Sequence, residues 1–352
     1  MRRIILLYVL LVFGYKVHAQ EKLFSLFPST EYDTSYIKSY YDKLIGNLYI
    51  PAKFVNFGVH SVDNNAFLNY EPNGRSALGF EGSYKWLSAG FSFKLPIADK
   101  SVQKYGHTES FDLQFNFNLR RVVIDLYFQV YSGFYLSNMD DYFNSWNFEN
   151  HYPKTDLSVL NLGIMANYVY NYKKFSYKAA LNLTERQNKS AGSFITGGYF
   201  FLNQMHSDST IVPSFAAPYF QGILGLQKIG TVNIGFLCGY TFTFVLNDNF
   251  FINLGLTPGF GLYSINAIDR ADYPINFDVH SAIILQTRFS FIYQKERFFM
   301  ALIGVYGTQT SLGKSDYSVS FGHGHTKFSV GYRFDFPDRI LKYRKNKLKN
   351  NL

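Results

Sequence analysis

The chain has 352 residues, enough for one large domain, and its formal net charge is +9 at neutral pH. The basic excess lies at the two ends, with +3 in the first 20 residues and +5 after Phe336. The body is therefore nearly neutral, which argues against a nucleic-acid-binding protein, and the single cysteine excludes an intrachain disulfide or a cysteine metal site.

Aromatic residues are unusually abundant. The chain contains 37 Phe and 29 Tyr, which bring the aromatic fraction to 19%, while the mean hydropathy is only −0.08. Strands and membrane interfaces both favour aromatic side chains. No apolar run approaches the ~20 residues that a membrane-spanning helix needs. The composition therefore favours β-structure.

The first 19 residues have the three parts of a secretory signal peptide. Arg2 and Arg3 form a positive start, residues 4–13 are continuously apolar, and a small-residue pattern ends at Ala19. We expect the mature chain to begin near Gln20 and to leave the cytoplasm. No cysteine follows the signal, so a lipoprotein anchor is not expected.

Residues 20–46 form a predicted periplasmic leader. Its apolar residues Ile37, Tyr40, Tyr41 and Leu44 have the i, i+3, i+4, i+7 spacing of a helix. The spacing predicts a short helix, which Thr34 or Ser35 would cap. An unstructured leader is the alternative.

A period-two pattern dominates the rest of the chain. In "SFDLQFNFNLR", residues 110–120, apolar and polar residues alternate without exception. Successive side chains of a strand point to opposite faces, so this alternation predicts a β-strand with one apolar face. The same alternation recurs at 87–95, 122–134, 174–184, 231–246 and 278–293.

These segments have the length of membrane-crossing strands, which is ~9–11 residues. Short turns alternate with long polar loops, a rhythm typical of outer-membrane barrels with short periplasmic turns and long extracellular loops. A sheet in lipid must close, because open edges would leave backbone groups unpaired. The sequence therefore predicts an all-β fold, a closed antiparallel transmembrane β-barrel over residues 47–336, in the outer membrane of a Gram-negative bacterium with both termini in the periplasm.

We predict fourteen strands. Thirteen are 48–61, 67–84, 87–95, 109–119, 122–134, 157–170, 174–184, 194–204, 231–246, 249–262, 278–293, 297–308 and 326–336. A short strand within residues 209–215 makes the number even, as bacterial single-chain barrels require. Twelve is the alternative, if residues 205–230 and another weak segment are loops.

The last predicted strand resembles the C-terminal signal of outer-membrane proteins. In "SVGYRFDF" the matching residues are Ser329, Gly331, Phe334 and Phe336. The resemblance implies delivery to the barrel-assembly machinery. A basic tail, residues 337–352, follows where such chains usually end, and we expect it in the periplasm.

Larger segments are similar to one family. These segments are "YDTSYI" (32–37), "YEPNGRSALGFEGSYKWLS" (70–88), "QVYSGFYL" (129–136), "NYKKFSYKAALN" (171–182) and "RQNKSAGSFITGG" (186–198). They resemble the domain-of-unknown-function family 4421 of Bacteroidota. The resemblance implies an outer-membrane β-barrel and brings no activity or site.

Alternation also assigns charged residues to the inside of the barrel. The predicted lumen-lining residues are Glu81, Lys94, Asp112, Arg120, Asp125, Lys178, Arg288, Arg333 and Asp335. Their signs are mixed, which argues against strong ion selectivity. Both a water-filled pore and a lumen filled with paired charges accommodate such a set.

Two segments outside these strands carry candidate residues. In an outer loop we expect Arg186, Gln187, Lys189, Ser190 and Gly192, either folded inward to attract anions or forming a tight connection that needs the glycine. His323 and His325 lie two apart and could share a metal, but no third ligand is near. We expect a glycine-rich outer loop with exposed imidazoles there, and no metal or cofactor.

Three functions remain open. The leading hypothesis is a non-enzymatic barrel that gives porin-like passage to a small polar or amphipathic solute. The alternative is a structural or assembly barrel with a filled lumen that binds envelope partners, and the second alternative is a lipid-modifying enzyme. Outer-membrane lipid and the assembly machinery are expected partners, and nucleic acid is not. The sequence carries no signal for an oligomeric state.

Overall fold

The computed structural model describes residues 31–74, 77–84, 87–94, 100–139, 151–269, 271, 273–275, 279–313 and 316–335. Almost all of the regular structure is β-strand. None of the described helices is long and apolar enough to cross a membrane. The predicted signal peptide, the basic tail and Phe336 lie outside the described residues.

Sixteen strands follow one another along the described chain. They are β1 (Ile37–Ser39), β2 (Lys43–Ser61), β3 (Ala66–Pro72), β4 (Ala77–Tyr84), β5 (Leu87–Lys94), β6 (Glu109–Asn118), β7 (Val122–Leu136), β8 (Tyr152–Val169), β9 (Glu185–Gln187), β10 (Ala191–Ser207), β11 (Leu226–Val245), β12 (Phe250–Asp269), β13 (Pro274–Ile275), β14 (Val279–Lys295), β15 (Phe298–Gly313) and β16 (Tyr317–Asp335). Short helices occur at Lys100–Tyr105 (α1), at Lys178–Asn182 (a π-helix), and at Ser214–Tyr219 and Gln221–Ile223 (both 3-10).

Ten of these strands close into an antiparallel barrel. In order around the wall they are β2, β3, β7, β8, β10, β11, β12, β14, β15 and β16. The last strand returns to the first, with pairing that extends from Lys43–Asp335 to Ser61–Tyr317. In the described part of the chain β4, β5, β6 and β13 attach to this ring, whereas β1 and β9 form a separate two-stranded sheet.

One place in the wall is closed by a short pairing. Strands β3 and β4 both pair with β2, and β3 then meets β7 through Tyr70–Pro72 and Phe134–Leu136. Beside this junction, β5 pairs with β4 and β6 pairs with β7. No backbone pairing joins the described residues of β5 to those of β6. The Thr108 hydroxyl fastens the junction, since it accepts from the Asn73 amide at 2.8 Å and donates to the Gly133 carbonyl at 2.6 Å.

The outer face of the wall is apolar and the inner face is polar. On β6, Phe111, Leu113, Phe115 and Phe117 are 40–55% exposed and point outward. The polar residues between them are less exposed, because they point into the barrel. A water-soluble barrel would place its large apolar side chains inside. Here alternation directs them out from the wall, as predicted.

We call the end that carries Lys43 and Asp335 the terminal end, and the opposite end the far end. A large apolar cluster fills the barrel at the far end. Residues 208–225 fold inward there, and Ile211, Ala216 and Phe220 are fully buried against wall residues. The Tyr70 hydroxyl donates to the Ile211 carbonyl, which fixes this segment to the wall.

A second apolar cluster fills the terminal end. Residues 171–190 enter the barrel between β8 and β10, and residues 31–42 pack against them. Phe175, Ala180 and Leu183 are at most 2% exposed. We call residues 31–42 and 171–190 together the terminal plug.

Two predicted strands are therefore wrong. Residues 174–184 alternate in polarity, but they contain the π-helix, and residues of both alternating sets, such as Tyr177 and Ala180, are buried in the plug. Residues 209–215 lead into a 3-10 helix instead of a strand. The barrel closes with ten strands plus four attached ones among the described residues, instead of fourteen membrane-crossing strands.

The predicted helix near the N-terminus is also wrong. The stretch forms a turn followed by β1, and β2 begins at Lys43, slightly before the predicted barrel boundary at residue 47. The four stripe residues do not share a face. Ile37 and Tyr40 are buried in the plug, whereas Tyr41 and Leu44 are 47% and 39% exposed.

Candidate functional site

The middle of the lumen holds a layer of polar side chains between the two apolar clusters. Asp112 on β6 is its most connected member. Its carboxylate accepts from Tyr131 at 2.6 Å, from Gln129 at 2.9 Å and from Gln114 at 3.3 Å, and forms an ion pair with Lys53 at 3.4 Å. Lys53 also donates to the Asp112 backbone carbonyl at 3.0 Å. These bonds join β2, β6 and β7 inside the barrel.

A buried ion pair crosses the lumen in the same layer. The Arg288 guanidinium on β14 donates to the Asp125 carboxylate on β7. Asn116 donates to the other carboxylate oxygen at 2.5 Å. Asp125 and Arg288 are 0% and 2% exposed. A charge so removed from water requires its partner, so the pair fixes two opposite parts of the wall to each other.

The predicted histidine pair also belongs to this layer, which corrects the prediction of an exposed outer loop. His323 is 1% exposed on β16, and its ring lies 4.5 Å from the Tyr127 ring centroid and 4.9 Å from that of Phe201. The His325 Nδ1 lies 2.7 Å from the Gln114 side-chain oxygen. Across the described ranges, no group of three or more His, Cys, Asp or Glu side chains could hold a metal ion.

Gln187 organises the terminal plug. Its side chain is 1% exposed and donates to the carbonyls of Lys174 at 2.6 Å, Lys189 at 3.0 Å and Tyr36 at 3.3 Å. Its side-chain oxygen accepts from the Ser176 amide at 3.1 Å. One glutamine thus connects β1, β9 and the start of the inserted segment, and the pairing of Ile37 with Gln187 continues this connection.

Charged residues connect the plug to the wall. Arg120, in the bend after β6, forms an ion pair with Glu185, which also accepts from the Ser176 hydroxyl at 2.5 Å. At the opposite side of the plug Arg333 donates to the Leu183 carbonyl at 3.2 Å. Leu183 has a φ of +60°, which ends the π-helix in the left-handed region. These contacts hold the plug at two sides of the barrel.

The plug also contacts the central layer. The Arg288 guanidinium lies 5.4 Å from the centroid of the Tyr177 ring, which is a cation–π distance. Burial raises the pKa of the Tyr177 hydroxyl, and burial lowers the pKa of the neighbouring Lys178 ammonium. Plug and lumen therefore form one continuous packed interior.

The structure distributes the predicted lumen-lining residues over three places. Five of them point inward from the wall: Glu81, Asp112, Asp125, Arg288 and Arg333. Arg120 and Lys178 belong to the bend and the plug, because the strand predicted at 174–184 does not form. Asp335 is not in the lumen, since it is exposed at the rim and pairs with Lys43 and Arg297. The side chain of Lys94 lies outside the described part.

The predicted outer loop also changes place. Arg186, Gln187, Lys189, Ser190 and Gly192 lie at the terminal end, on the same side as Lys43 and Asp335, and not at the far end. Gly192 begins β10 instead of forming a tight turn. A Cβ atom there would lie 2.6 Å from the Phe242 ring, so close packing requires the glycine.

Several residues of the site could not be found from the sequence. Gln187 belongs to the predicted outer loop, but the sequence does not indicate its burial, and Gln129 and Lys53 give no signal because they are ordinary polar positions of alternating strands. The sequence does single out the segments that form the plug. The segments "YDTSYI", "NYKKFSYKAALN" and "RQNKSAGSFITGG", which carry the family resemblance, meet in the plug through Tyr36, Lys174 and Gln187.

The fold and its interior define a closed antiparallel β-barrel with a filled lumen. The chain belongs to the family described as Domain of unknown function (DUF4421), whose model matches residues 31–334. No curated protein matches the sequence.

The chain also matches solved structures at low sequence identity and low TM-score, among them outer-membrane proteins. The outer membrane protease OmpT of Escherichia coli is 8% identical, with 84% of this chain and 97% of that chain covered and a TM-score of 0.34. The translocator domain of the autotransporter NalP from Neisseria meningitidis is 8% identical, with 93% and 98% covered and a TM-score of 0.29. An outer membrane channel from Pseudomonas putida F1 is 8% identical, with 83% and 96% covered and a TM-score of 0.26.

Proposed function

We propose that this protein is an outer-membrane β-barrel with a closed lumen that acts through partners bound at its mouths, and not an open porin. The observation that carries this proposal is the burial of the inward polar side chains. Asp125, Gln129, Asn203, Asn233 and Gln309 are all 0% exposed. Side chains that line a water-filled pore would be accessible to water.

The apolar outer face supports the membrane location. Large apolar side chains point outward on most strands, for example Phe91 (65%), Phe236 (61%), Phe260 (56%) and Leu262 (71%). Soluble monomers rarely expose contiguous apolar patches larger than a few hundred Å². A band of apolar residues around a closed barrel is typical of outer-membrane proteins, in which lipid covers it.

The two packed ends support the closed lumen. The far-end cluster and the terminal plug each place fully buried side chains in the barrel interior, among them Phe220 at one end and Phe175 at the other. The buried pair of Asp125 and Arg288 lies between them. A solute would have to displace several of these side chains to pass.

The histidines do not favour an enzyme. Neither ring nitrogen of His323 has a hydrogen-bond partner, and the Nδ1 of His325 faces the Gln114 amide oxygen. A histidine that activates a nucleophile needs a hydroxyl or thiol within hydrogen-bond reach.

The porin-like passage of a solute would require a second, open state of the plug.

The test is the conductance of the purified protein in planar bilayers after folding has been verified by heat-modifiable gel mobility. We expect the folded protein to show no steady conductance. A variant in which the plug residues 174–184 are replaced by a short glycine-serine linker serves as the control, because it should conduct if the wall refolds. Discrete, stable channels of the unaltered protein would contradict the closed lumen and restore the passage hypothesis.

A further inference from the structure

Among the described residues, the terminal plug and the far end of the barrel carry opposite charge. At the terminal end the plug exposes Lys38, Lys173, Lys174 and Lys189, against exposed Glu31 and Asp42. At the far end the exposed charges are mainly acidic: Asp63, Glu109, Asp208 and Asp316, against exposed Lys228. The described part of the molecule is therefore polarised along the barrel axis, although the body of the chain is nearly neutral.

Two lysines of the plug, Lys174 and Lys189, contact the aromatic ring of Tyr36. The ammonium groups of Lys174 and Lys189 lie 5.1 and 5.4 Å from the centroid of the Tyr36 ring. The Tyr36 carbonyl accepts from the Asn188 amide at 2.7 Å and from the Gln187 side chain. Two cations thus converge on one ring, which the plug itself fixes in position.

The acidic residue nearest this cluster is already engaged. Asp33 accepts from the Ser35 amide at 2.9 Å, and this hydrogen bonding holds the pKa of its carboxyl below the usual range. A single carboxylate faces both Lys174 and Lys189. Two ammonium groups therefore face one carboxylate that is already hydrogen-bonded, so the cluster keeps an excess of positive charge.

We propose that the terminal plug docks an acidic polypeptide segment, whose carboxylates pair with Lys173, Lys174 and Lys189. This inference rests on the proposed function, because it names the chemistry of the partner at one mouth. The sequence after Phe336 adds +5 to the net charge of the chain.

The position of the cluster favours a polypeptide over lipid headgroups. Lys173 and Lys174 lie in the turn that enters the plug after β8, and Lys174 and Lys189 lie over the Tyr36 ring of the plug. Lipid headgroups meet the outer rim of a barrel, where exposed Lys295 ends β14 and exposed Arg297 lies in the turn before β15. A partner that approaches along the barrel axis meets the plug lysines first.

The experiment measures binding of a fluorescent oligoglutamate peptide to the folded full chain in zwitterionic nanodiscs, by fluorescence anisotropy. The test variant is Lys174→Glu/Lys189→Glu. The matched control is Lys104→Glu/Lys228→Glu, which makes the same change in net charge away from the plug. Exposed ion pairs contribute little each, so loss of two of them should weaken binding by roughly two- to thirtyfold.

We expect the test variant to lose this affinity, the control to keep it, and added salt to weaken binding of the unaltered protein. The neutral variant Lys174→Gln/Lys189→Gln should show an intermediate loss, and it covers the case in which charge reversal prevents folding. Equal affinity of test and control variants, or no binding of oligoglutamate, would overturn the proposal. Complete displacement of the peptide when the nanodiscs contain anionic lipid would overturn it in favour of headgroup binding. Conductance of the same samples separates this failure from failure of the closed lumen.

Discussion

Asp125 on β7 and Arg288 on β14 form an ion pair across the barrel interior, although 163 positions separate them in the sequence. Both side chains are almost fully buried, and Asn116 completes the hydrogen bonding of the carboxylate. Each charge would be costly in this position without the other. Substitutions in this pair therefore test whether the barrel interior is closed to water.

Removal of one partner should destabilise the barrel strongly. Arg288→Met leaves the Asp125 carboxylate buried without its counter-charge, and we expect the free energy of unfolding to fall by about 3–5 kcal/mol. The double variant Asp125→Asn/Arg288→Met should recover much of this loss. Urea-induced unfolding of the refolded protein in lipid vesicles measures both.

A surface pair provides the control for this prediction. Arg297 pairs with Asp335 at the rim, where the two side chains are 51% and 53% exposed. Arg297→Met should change the free energy of unfolding by less than about 1 kcal/mol. Equal losses for Arg288→Met and Arg297→Met would mean that the lumen pair is solvated.

Gln187 should control the rigidity of the plug. Gln187→Leu keeps the approximate volume but leaves the carbonyls of Lys174 and Lys189 without their donor, at about 1–3 kcal/mol for each buried group. We expect trypsin to cleave after Lys173 and Lys174 faster than in the unaltered protein, and mass spectrometry of the fragments measures this rate. Gln221→Leu makes the same change at an exposed position and should not alter cleavage; a Gln187→Leu plug that resists trypsin as well as the unaltered one would contradict this role.

Gly331 should be required for packing, whatever its role in the C-terminal assembly signal. A Cβ atom there would overlap the Phe299 ring and lie 2.7 Å from the Asn47 Cβ. Gly331→Ala should therefore cost about 1–3 kcal/mol of unfolding free energy even in refolding without assembly machinery. Gly82→Ala, where no atom lies within 4 Å, is the matched control and should be tolerated. Normal refolding of Gly331→Ala in vitro would assign the glycine to the signal alone.

Phe115 should face the acyl chains of the membrane. It is 51% exposed on the outer face of β6, so Phe115→Arg should lower stability in vesicles by up to about 2–4 kcal/mol near the bilayer midplane. Leu224→Arg changes an apolar residue that is 42% exposed in the far-end segment and should be tolerated. The folded fraction on heat-modifiable gels measures the difference, and equal tolerance of both variants would argue against lipid at β6.

The sequence predicted the wall of the barrel well because the wall obeys a simple rule. In β6 every second residue points outward and the residues between them point into the barrel, so the polarity pattern alone indicates the strand and its orientation. The same rule fails at residues 174–184. There Phe175, Tyr177 and Leu181 alternate with other residues, of which Ser176, Ala180 and Thr184 are also buried in the plug. Alternation cannot distinguish a strand from a segment buried on every side.

The two wrongly predicted strands, 174–184 and 209–215, cancel in their effect on the predicted direction of the later strands. The supposed strand at 174–184 reverses the direction of the chain once, and the supposed strand within 209–215 reverses it again. Only the strand between them, β10, was therefore predicted in the wrong direction, and this places Gln187 and Lys189 at the wrong mouth. The contacts of the plug depend on residues such as Tyr36 and Gln187 that are 151 positions apart, and no local pattern reports such a pairing.

The most direct test of the closed lumen is the reactivity of a cysteine placed inside it. Ser290 on β14 is 0% exposed, whereas Asn247 is exposed in the turn at the terminal end. In a Cys238→Ser background, Ser290→Cys should resist a small charged thiol reagent in the folded protein and react after unfolding, while Asn247→Cys reacts in both states. Modification of Ser290→Cys at a rate similar to Asn247→Cys in the folded barrel would show a water-filled lumen and contradict the account.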